Sequence, residues 1–483
     1  MTGAVLERAG SAVRWRAVQL GGIEVIYFTR LIILAAMLAP DVFGLLAIAS
    51  IALSTLMRIS DVGMVPALVH HHEATLEQHD AAWTVGLTRA ALVTSALVVS
   101  APLIASLFDE PRATRVIQAF ALRPFIEAMG SIGVAGLMRE LRFRELAFMN
   151  LPGAVVDLVV AVSLAPKFGV WALVAGTLAG SITMVMLSYA LAPHRPRLRF
   201  RWSEIVPLVE FGRWVLAAGI VTLAGTLLTQ LAVSRLLGAA ALGIFFLAVK
   251  LAFLPIDASN SLVGAVAFPM FARARTDPNE STRLFVAVFT GMYLLMLPVL
   301  ALIFTLVPEL EPVLGPKWSG TAPIVRILCI AAMGGIAATV LDRYLLGHGD
   351  ARGAFRLEAL NTVVTLTVLL PGVMVLQLHG AAASWLLGGL STFVFSLWLI
   401  RRRIPGALSE SWRRLGAAVV VALSAAATAG WVATHLTGLP ALLAGGLAGV
   451  ASGALVLWWQ NAALGLRLGE FIPLLSKRSE YAE

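Results

Sequence analysis

Charged side chains are scarce in this sequence. Asp, Glu, Lys and Arg make up 13% of its 483 residues, about half the share in a soluble domain. A soluble fold of this length would have to hide more apolar surface than its interior holds, so a soluble globular protein is excluded. Cysteine is nearly absent: the single thiol, Cys329, lies inside an apolar block and cannot form an internal disulfide. Also missing are a P-loop, a Gly-x-Ser-x-Gly element and any zinc-ligand motif, so energy from ATP within the chain is not expected. The run His70-His71-His72-Glu73 through Asp80 is metal-like in composition only. We expect no catalytic residue, no metal and no cofactor: a non-enzyme. The first sixteen residues lack the short apolar core and small-residue site of a cleaved signal peptide, so the first helix is expected to be its own insertion signal.

What the sequence has in quantity is apolar length. Hydrophobic residues form 59% of the chain and come in blocks of about 18–25, enough to cross a ~30 Å hydrocarbon core. The pattern predicts an all-α polytopic membrane protein of about 14 transmembrane helices. They are expected near residues 18–38, 43–69, 82–108, 114–138, 147–165, 170–191, 212–235, 240–268, 284–307, 323–345, 355–376, 380–400, 415–435 and 440–463. Turn formers such as Ala39-Pro40-Asp41, Asp109-Glu110-Pro111 and Gly347-His348-Gly349 mark the joints.

The net charge of +9 could suggest nucleic acid, but its distribution argues against that partner. With the N-terminus in the cytoplasm, about 24 basic residues fall in inside segments and about five outside. Arg139, Arg142 and Arg144 form one inside group, and Arg401, Arg402 and Arg403 belong to another. An even helix count with both termini cytoplasmic follows. No outside loop exceeds about 20 residues, which leaves no room there for a catalytic domain. The stretch Leu38–Ala49 also aligns with Leu237–Ala248, with Gly44 opposite Gly243 and Ser60-Asp61 opposite Ser259-Asn260. The offset of 199 residues spans six helices, as a parallel repeat about an axis along the membrane normal would require.

Several charges fall inside apolar blocks, where each costs about 2.5–3.5 kcal/mol unless it finds a partner or a cavity. Arg58 and Asp61 are three apart, Arg123 and Glu127 four apart, and Lys250 and Asp257 seven apart, so each pair shares a helix face. Asp157 and Arg326 are also embedded. Arg30 has no such partner on its own helix. Two readings stay open for these groups: pairs that neutralise one another and lock helices, or cavity groups that grip an anion. Arg30, Arg58 and Lys250, if convergent, would suit a pyrophosphate, which arginine holds through paired hydrogen bonds. Arg123 and Arg326 complete the candidate substrate-binding set. Asp61, Glu127, Asp157 and Asp257 are candidates for coupling or ion pairing.

Four segments carry a family resemblance. Leu38-Ala-Pro-Asp-Val-Phe-Gly-Leu-Leu-Ala47 resembles the L-x-P-x-x-F-G-L element after the first helix of polysaccharide flippases, Wzx-like members of the multidrug/oligosaccharidyl-lipid/polysaccharide exporter superfamily. Asp61-Val-Gly-Met-Val-Pro-Ala-Leu-Val69, Leu141-Arg-Phe-Arg144 and Leu314-Gly-Pro-Lys-Trp318 are similar to their later motifs in the same order. The resemblance runs from about Leu20 to Arg403. Two departures stand out: Ala36 replaces an arginine common in the family, and no acidic residue stands near Thr229. The resemblance implies two six-helix lobes around a central cavity that opens alternately to each side, here 1–191 and 212–403. A basic linker, 192–211, would join them, and two further helices with a cytoplasmic tail would fill 404–483. It implies translocation of lipid-linked oligosaccharide or polysaccharide precursors, ion-coupled, across the bacterial cytoplasmic membrane. The carrier would be of the polyprenyl pyrophosphate type, with membrane lipids, and a polymerase or glycosyltransferase, as further partners. Basic residues on helices one, two and eight of related peptidoglycan-precursor flippases line the cavity; Arg30, Arg58 and Lys250 lie on those helices here. A drug exporter of the same superfamily would share the fold, but the interior basic groups disfavour organic cations. A membrane glycan polymerase or ligase would carry a long outside loop.

The orientation is directly testable. In a Cys329→Ala background, cysteine at Ser319 should react with an impermeant thiol reagent from outside intact cells, and cysteine at Ser409 should not. Labelling of the Ser409 position would overturn the assignment of both termini to the cytoplasm.

Overall fold

The computed structural model describes residues 2–60, 76–140, 142–192 and 213–464. Asp61, Pro66, the histidines of the 70–72 run, the basic linker from 193 and the tail lie outside the described residues. Among the described residues all regular structure is helical. Twelve helical stretches are long and apolar enough to cross a membrane. The chain divides into two compact units, one of residues 1–216 with 238–243, the other of 217–237 with 244–483.

The first unit begins with α1 (Thr2–Met37) and α2 (Pro40–Ser60). Pro40 opens α2 where a missing N–H costs nothing, and Asp41 sits in its first turn, where the helix dipole favours an anion. Next come α3 (Leu76–Leu107) and three short helices, α4 (Ala113–Phe120), α5 (Leu122–Ala128) and α6 (Gly133–Arg139). α7 (Phe143–Phe168) and α8 (Val170–Leu191) close the unit as a tight hairpin around the single residue Gly169, at φ 54° and ψ −122°. A Cβ on Gly176 would lie 2.7 Å from the Asp157 carbonyl oxygen, and one on Gly180 would lie 2.8 Å from that of Gly153. Small residues thus let the two backbones touch, the usual route to close helix packing in lipid. α1 runs parallel to α7: Arg16 meets Phe143, and fourteen residues further along each helix Arg30 meets Asp157.

α9 (Arg213–Ala274) carries a break at Gly238, φ 86° and ψ 172°. Its apolar stretch Gly219–Asp257 has 39 residues, roughly 58 Å of helix and twice the hydrocarbon thickness. The break therefore divides two spans. The second unit continues with α10 (Pro278–Leu306), the short α11 (Leu310–Leu314), α12 (Thr321–Gly347), α13 (Ala351–Leu376), α14 (Leu378–Arg403), α15 (Ala407–His435) and α16 (Leu439–Leu464). Its helix starts are capped by carboxylates. Asp277 accepts from the Asn279 and Glu280 amides of α10, and Asp350 accepts from the Gly353 amide of α13. Glu311 accepts from the Ala322 amide at 2.8 Å and Glu309 from the Gly438 amide at 2.9 Å. Between them lies Trp318, 0% exposed. The Leu314–Trp318 motif is therefore a packed corner between α10 and α12, held from inside by its tryptophan. α15 and α16 pack on α10, with Gly449 and Gly445 against Leu302 and Leu306.

The spans expected at 212–235 and 240–268 are separated by the break at Gly238, within one bent element. The expectation of a continuous helix at 114–138 is corrected: that segment is interrupted. Its first break precedes Pro124, which has no N–H to offer the Phe120 carbonyl. Its second falls at Met129–Ile132. The repeat has a structural counterpart: α2 and the second half of α9 each begin at a break, at Ala39 and Gly238, which are repeat equivalents. A Cβ on Gly44 would collide with the Ala239 carbonyl, and one on Gly243 with the Pro40 carbonyl. Gly44→Val should accordingly cut the recovery of monodisperse protein from membranes by about ten-fold or more, since this overpacking meets backbone and cannot relax. Gly21→Val, with nothing within 4 Å of its Cβ, should leave recovery unchanged. Equal recovery of the two by size-exclusion chromatography would contradict the close crossing.

Candidate functional site

Two ion pairs and a broken helix build the polar interior of the first unit. Arg30 of α1 lies with its Nε 2.9 Å from Asp157 Oδ1 of α7, the side chains being 15% and 7% exposed. The guanidinium Nη2 also donates to the Leu173 carbonyl and to Thr177 Oγ1 of α8, each at 3.3 Å. Arg30 thus spans three helices. The close α7–α8 contact at Gly176 and Gly180 delivers Asp157 to this place. The second pair is Arg123–Glu127 on α5, Nε to Oε1 2.8 Å. Glu127 Oε1 also accepts from the buried Ser181 hydroxyl of α8 at 3.0 Å.

Backbone groups released where the helix breaks must find partners at membrane depth. The Ala121 carbonyl accepts from Thr94 Oγ1 at 2.8 Å, the Met129 carbonyl from the Tyr189 hydroxyl at 2.7 Å, and the Gly130 carbonyl from Trp83 Nε1 at 3.1 Å. The Ser131 amide donates to Ser188 Oγ at 2.9 Å, and its hydroxyl donates to the Ala192 carbonyl. Neighbouring helices therefore hold the broken segment open. Beside it lies a cavity of about 560 Å³. Its walls are mostly apolar, with Met57, Met138, Met149 and Met184 among them, and adaptable methionines suit a variable guest. Its charged lining is Arg89, Arg123 and Glu127, a net positive set.

The structure thus brings together Arg30 with Asp157 and Arg123 with Glu127. Arg58 ends α2 with an exposed side chain, and its expected partner Asp61 lies outside the described residues. In the second unit Lys250 is exposed with Nζ 5.8 Å from the Phe246 ring centroid, and Asp257 is exposed further along α9. Arg326 of α12 donates from Nε to the Phe304 carbonyl at 3.0 Å and lies over the Phe304 ring at 5.2 Å. The sequence reading missed Arg89, Trp83 and Ser181. Arg89, half-buried on α3 and donating to the Ser60 carbonyl at 3.3 Å, had a visible signal: it is a basic residue within the apolar stretch of the third helix. Trp83 had none, because the Gly130 carbonyl it meets is freed only by the break, and Ser181 had none, because its partner Glu127 lies on a helix distant in sequence.

A broken helix beside a largely apolar cavity with a few charged groups belongs to a fold that this chain shares with solved membrane transporters. The fold is shared with the lipid II flippase MurJ in an inward closed conformation: TM-score 0.69, 13% identity, 93% of this chain and 99% of that one. It is shared also with an inward-facing multidrug resistance MATE family transporter of the MOP superfamily: TM-score 0.64, 16% identity, 80% and 96% covered. The model of the polysaccharide biosynthesis protein family matches residues 33–323, and the chain belongs to that family. It is 22% identical over 407 residues to the lipopolysaccharide biosynthesis protein WzxC of Escherichia coli, covering 83% of this chain and 82% of that protein. It is 24% identical over 356 residues to the succinoglycan biosynthesis transport protein ExoT of Rhizobium meliloti, covering 73% and 72%.

The Arg30–Asp157 contact makes a stability prediction. Removing one member of a buried pair leaves a charge in hydrocarbon and costs about 3–5 kcal/mol, whereas replacing both with apolar residues costs far less. Arg30→Met and Asp157→Leu should each lower the thermal midpoint in detergent, and the double variant should regain most of the loss. Additive losses in the double variant would show that the two groups are not coupled.

Proposed function

We propose that this protein is a flippase that carries lipid-linked oligosaccharide or polysaccharide precursors across the bacterial cytoplasmic membrane by alternating access, with both termini in the cytoplasm. The observation that carries the reading is a transporter fold, in a polysaccharide biosynthesis family member, with a positively lined cavity beside a broken helix. The named relatives in lipopolysaccharide and succinoglycan biosynthesis support the substrate class.

The physical task explains the architecture. A glycan hydroxyl taken into hydrocarbon without a hydrogen-bond partner costs roughly 2–7 kcal/mol, so an unassisted sugar chain does not cross. A protein cavity supplies partners while the lipid tail stays in the bilayer. The carrier we propose is a polyprenyl pyrophosphate, whose anionic group would be met by basic residues; Arg30, Arg58, Arg123, Lys250 and Arg326 are the candidates. Arg30 is held by Asp157, so its part in this scheme is an exchange of partners. Protonation of Asp157 would free the guanidinium for the diphosphate, and release of the substrate would restore the pair. Asp157 then acts as the coupling group, with Glu127, Asp61 and Asp257 as further candidates.

Deletion of the gene should leave lipid-linked glycan on the cytoplasmic leaflet and abolish display of the polymer at the cell surface. Complementation with Asp157→Asn, which mimics the protonated acid, should restore display only weakly. Normal polymer display in the deletion strain, with no second flippase present, would refute the assignment.

A further inference from the structure

At the cytoplasmic-side ends of α1 and α7, in the orientation assigned from the basic residues, arginines and aromatic rings alternate across the helix pair. The guanidinium carbon of Arg16 on α1 lies 5.2 Å from the Phe143 ring centroid on α7. The guanidinium carbon of Arg144 on α7 lies 5.8 Å from the Trp15 ring on α1 and 5.7 Å from the Phe148 ring. Trp15 and Phe148 are themselves 5.9 Å apart and tilted by 40°, so Arg144 sits against two rings at once. Each helix therefore lends an arginine to the other's aromatic group. Arg16 Nη1 also donates to Gln19 Oε1 at 3.0 Å, and Gln19 is 3% exposed.

Three features of this clasp point to a ligand. First, it lies where the apolar spans begin, at Arg14 in α1 and Phe143 in α7, the depth of lipid headgroups. The Arg30–Asp157 pair lies fourteen residues deeper, about 21 Å along the helix axis. Second, among the described residues no carboxylate forms an ion pair with Arg16 or Arg144: the neighbouring Glu145 feels the charge of Arg144 but is held directly by Arg142 at 2.9 Å. Third, a guanidinium held over an aromatic ring by cation–π attraction can still donate N–H groups outward and loses little further freedom when it grips a phosphate. Arg144 is exposed, and its one acidic neighbour, Glu145, is already engaged by Arg142.

We propose that Trp15, Arg16, Phe143, Arg144 and Phe148 form a binding site for the phosphate headgroup of an anionic membrane lipid on the cytoplasmic leaflet. The occupant is a bulk lipid such as phosphatidylglycerol. Charge complementarity and depth select it, and the lipid anchors α1 against α7 at the surface.

The test uses the full-length protein reconstituted into phosphatidylethanolamine vesicles containing phosphatidylglycerol, then extracted gently. The phosphatidylglycerol retained is measured relative to phosphatidylethanolamine. Wild-type protein should retain phosphatidylglycerol with an enrichment on the order of five-fold per engaged arginine. Arg16→Gln with Arg144→Gln should bring the enrichment near unity, while Arg273→Gln with Arg275→Gln, which removes two exposed basic residues elsewhere, should not. Arg16→Lys with Arg144→Lys should keep part, because an ammonium retains charge but not the planar fork. Single Arg144→Gln offers the same readout should the double variant not insert. The proposal is overturned if wild type shows no enrichment, or if the Gln variants enrich like wild type. It is overturned also if the Arg273/Arg275 change is equally damaging, or if only added polyprenyl diphosphate, and no phosphatidylglycerol, is retained.

Discussion

The first unit depends on one constraint: charge placed in hydrocarbon must be answered there. Arg30 and Asp157 answer each other across α1 and α7 at 2.9 Å, and the geometry around them serves that contact. Glycines at 153, 176 and 180 bring α7 and α8 to backbone contact, which sets Asp157 beside the Leu173 carbonyl and Thr177 that complete the arginine's partners. The same constraint governs the interrupted fourth helix. Carbonyls and amides that a continuous helix would satisfy internally are met instead by Thr94, Trp83, Tyr189 and Ser188. Four neighbouring side chains are committed to keeping one helix broken, and the cavity beside it is the consequence.

The cavity is a place where polar substrate can be matched without exposing backbone to lipid. Its charged groups are few and of mixed sign, two guanidiniums and one carboxylate against a mostly apolar wall. Under the function proposed here, such a surface would grip an anionic centre while leaving sugars and lipid loosely held, as release of the cargo requires. Buried ion pairs are poor stabilisers but effective switches, because a proton or a competing anion can exchange for either member. That links the structural role of Arg30–Asp157 to the coupling role proposed for it.

Much of this was legible in the residues. Apolar block length located the membrane spans, the four-residue spacing paired Arg123 with Glu127, and the repeat put Gly44 opposite Gly243, both of which turn out to be close-approach positions. The four motifs placed the chain in its family. What was not legible arises from contacts between helices distant in sequence. Arg30 looked unpartnered because helical spacing reports only neighbours on its own helix, and Asp157 lies four spans away. The helix break before Pro124 has a local cause in the proline itself, but the second, at Met129–Ile132, is fixed by Ser188, Tyr189 and Trp83 from other helices. Trp318 was visible in the sequence as part of a family motif; its structural reason, a fully buried corner, depends on the fold.

The central claim is movement of a lipid-linked glycan between leaflets. Purified protein reconstituted into vesicles carrying a polyprenyl diphosphate-linked oligosaccharide, inserted initially in the outer leaflet only, tests it most directly. An impermeant glycosidase added after incubation reads the fraction still outside. The account predicts that this fraction falls well below that in protein-free vesicles, and falls much less with Asp157→Asn. A cleavable fraction equal to that of protein-free vesicles, from protein shown to be folded and inserted, would contradict it.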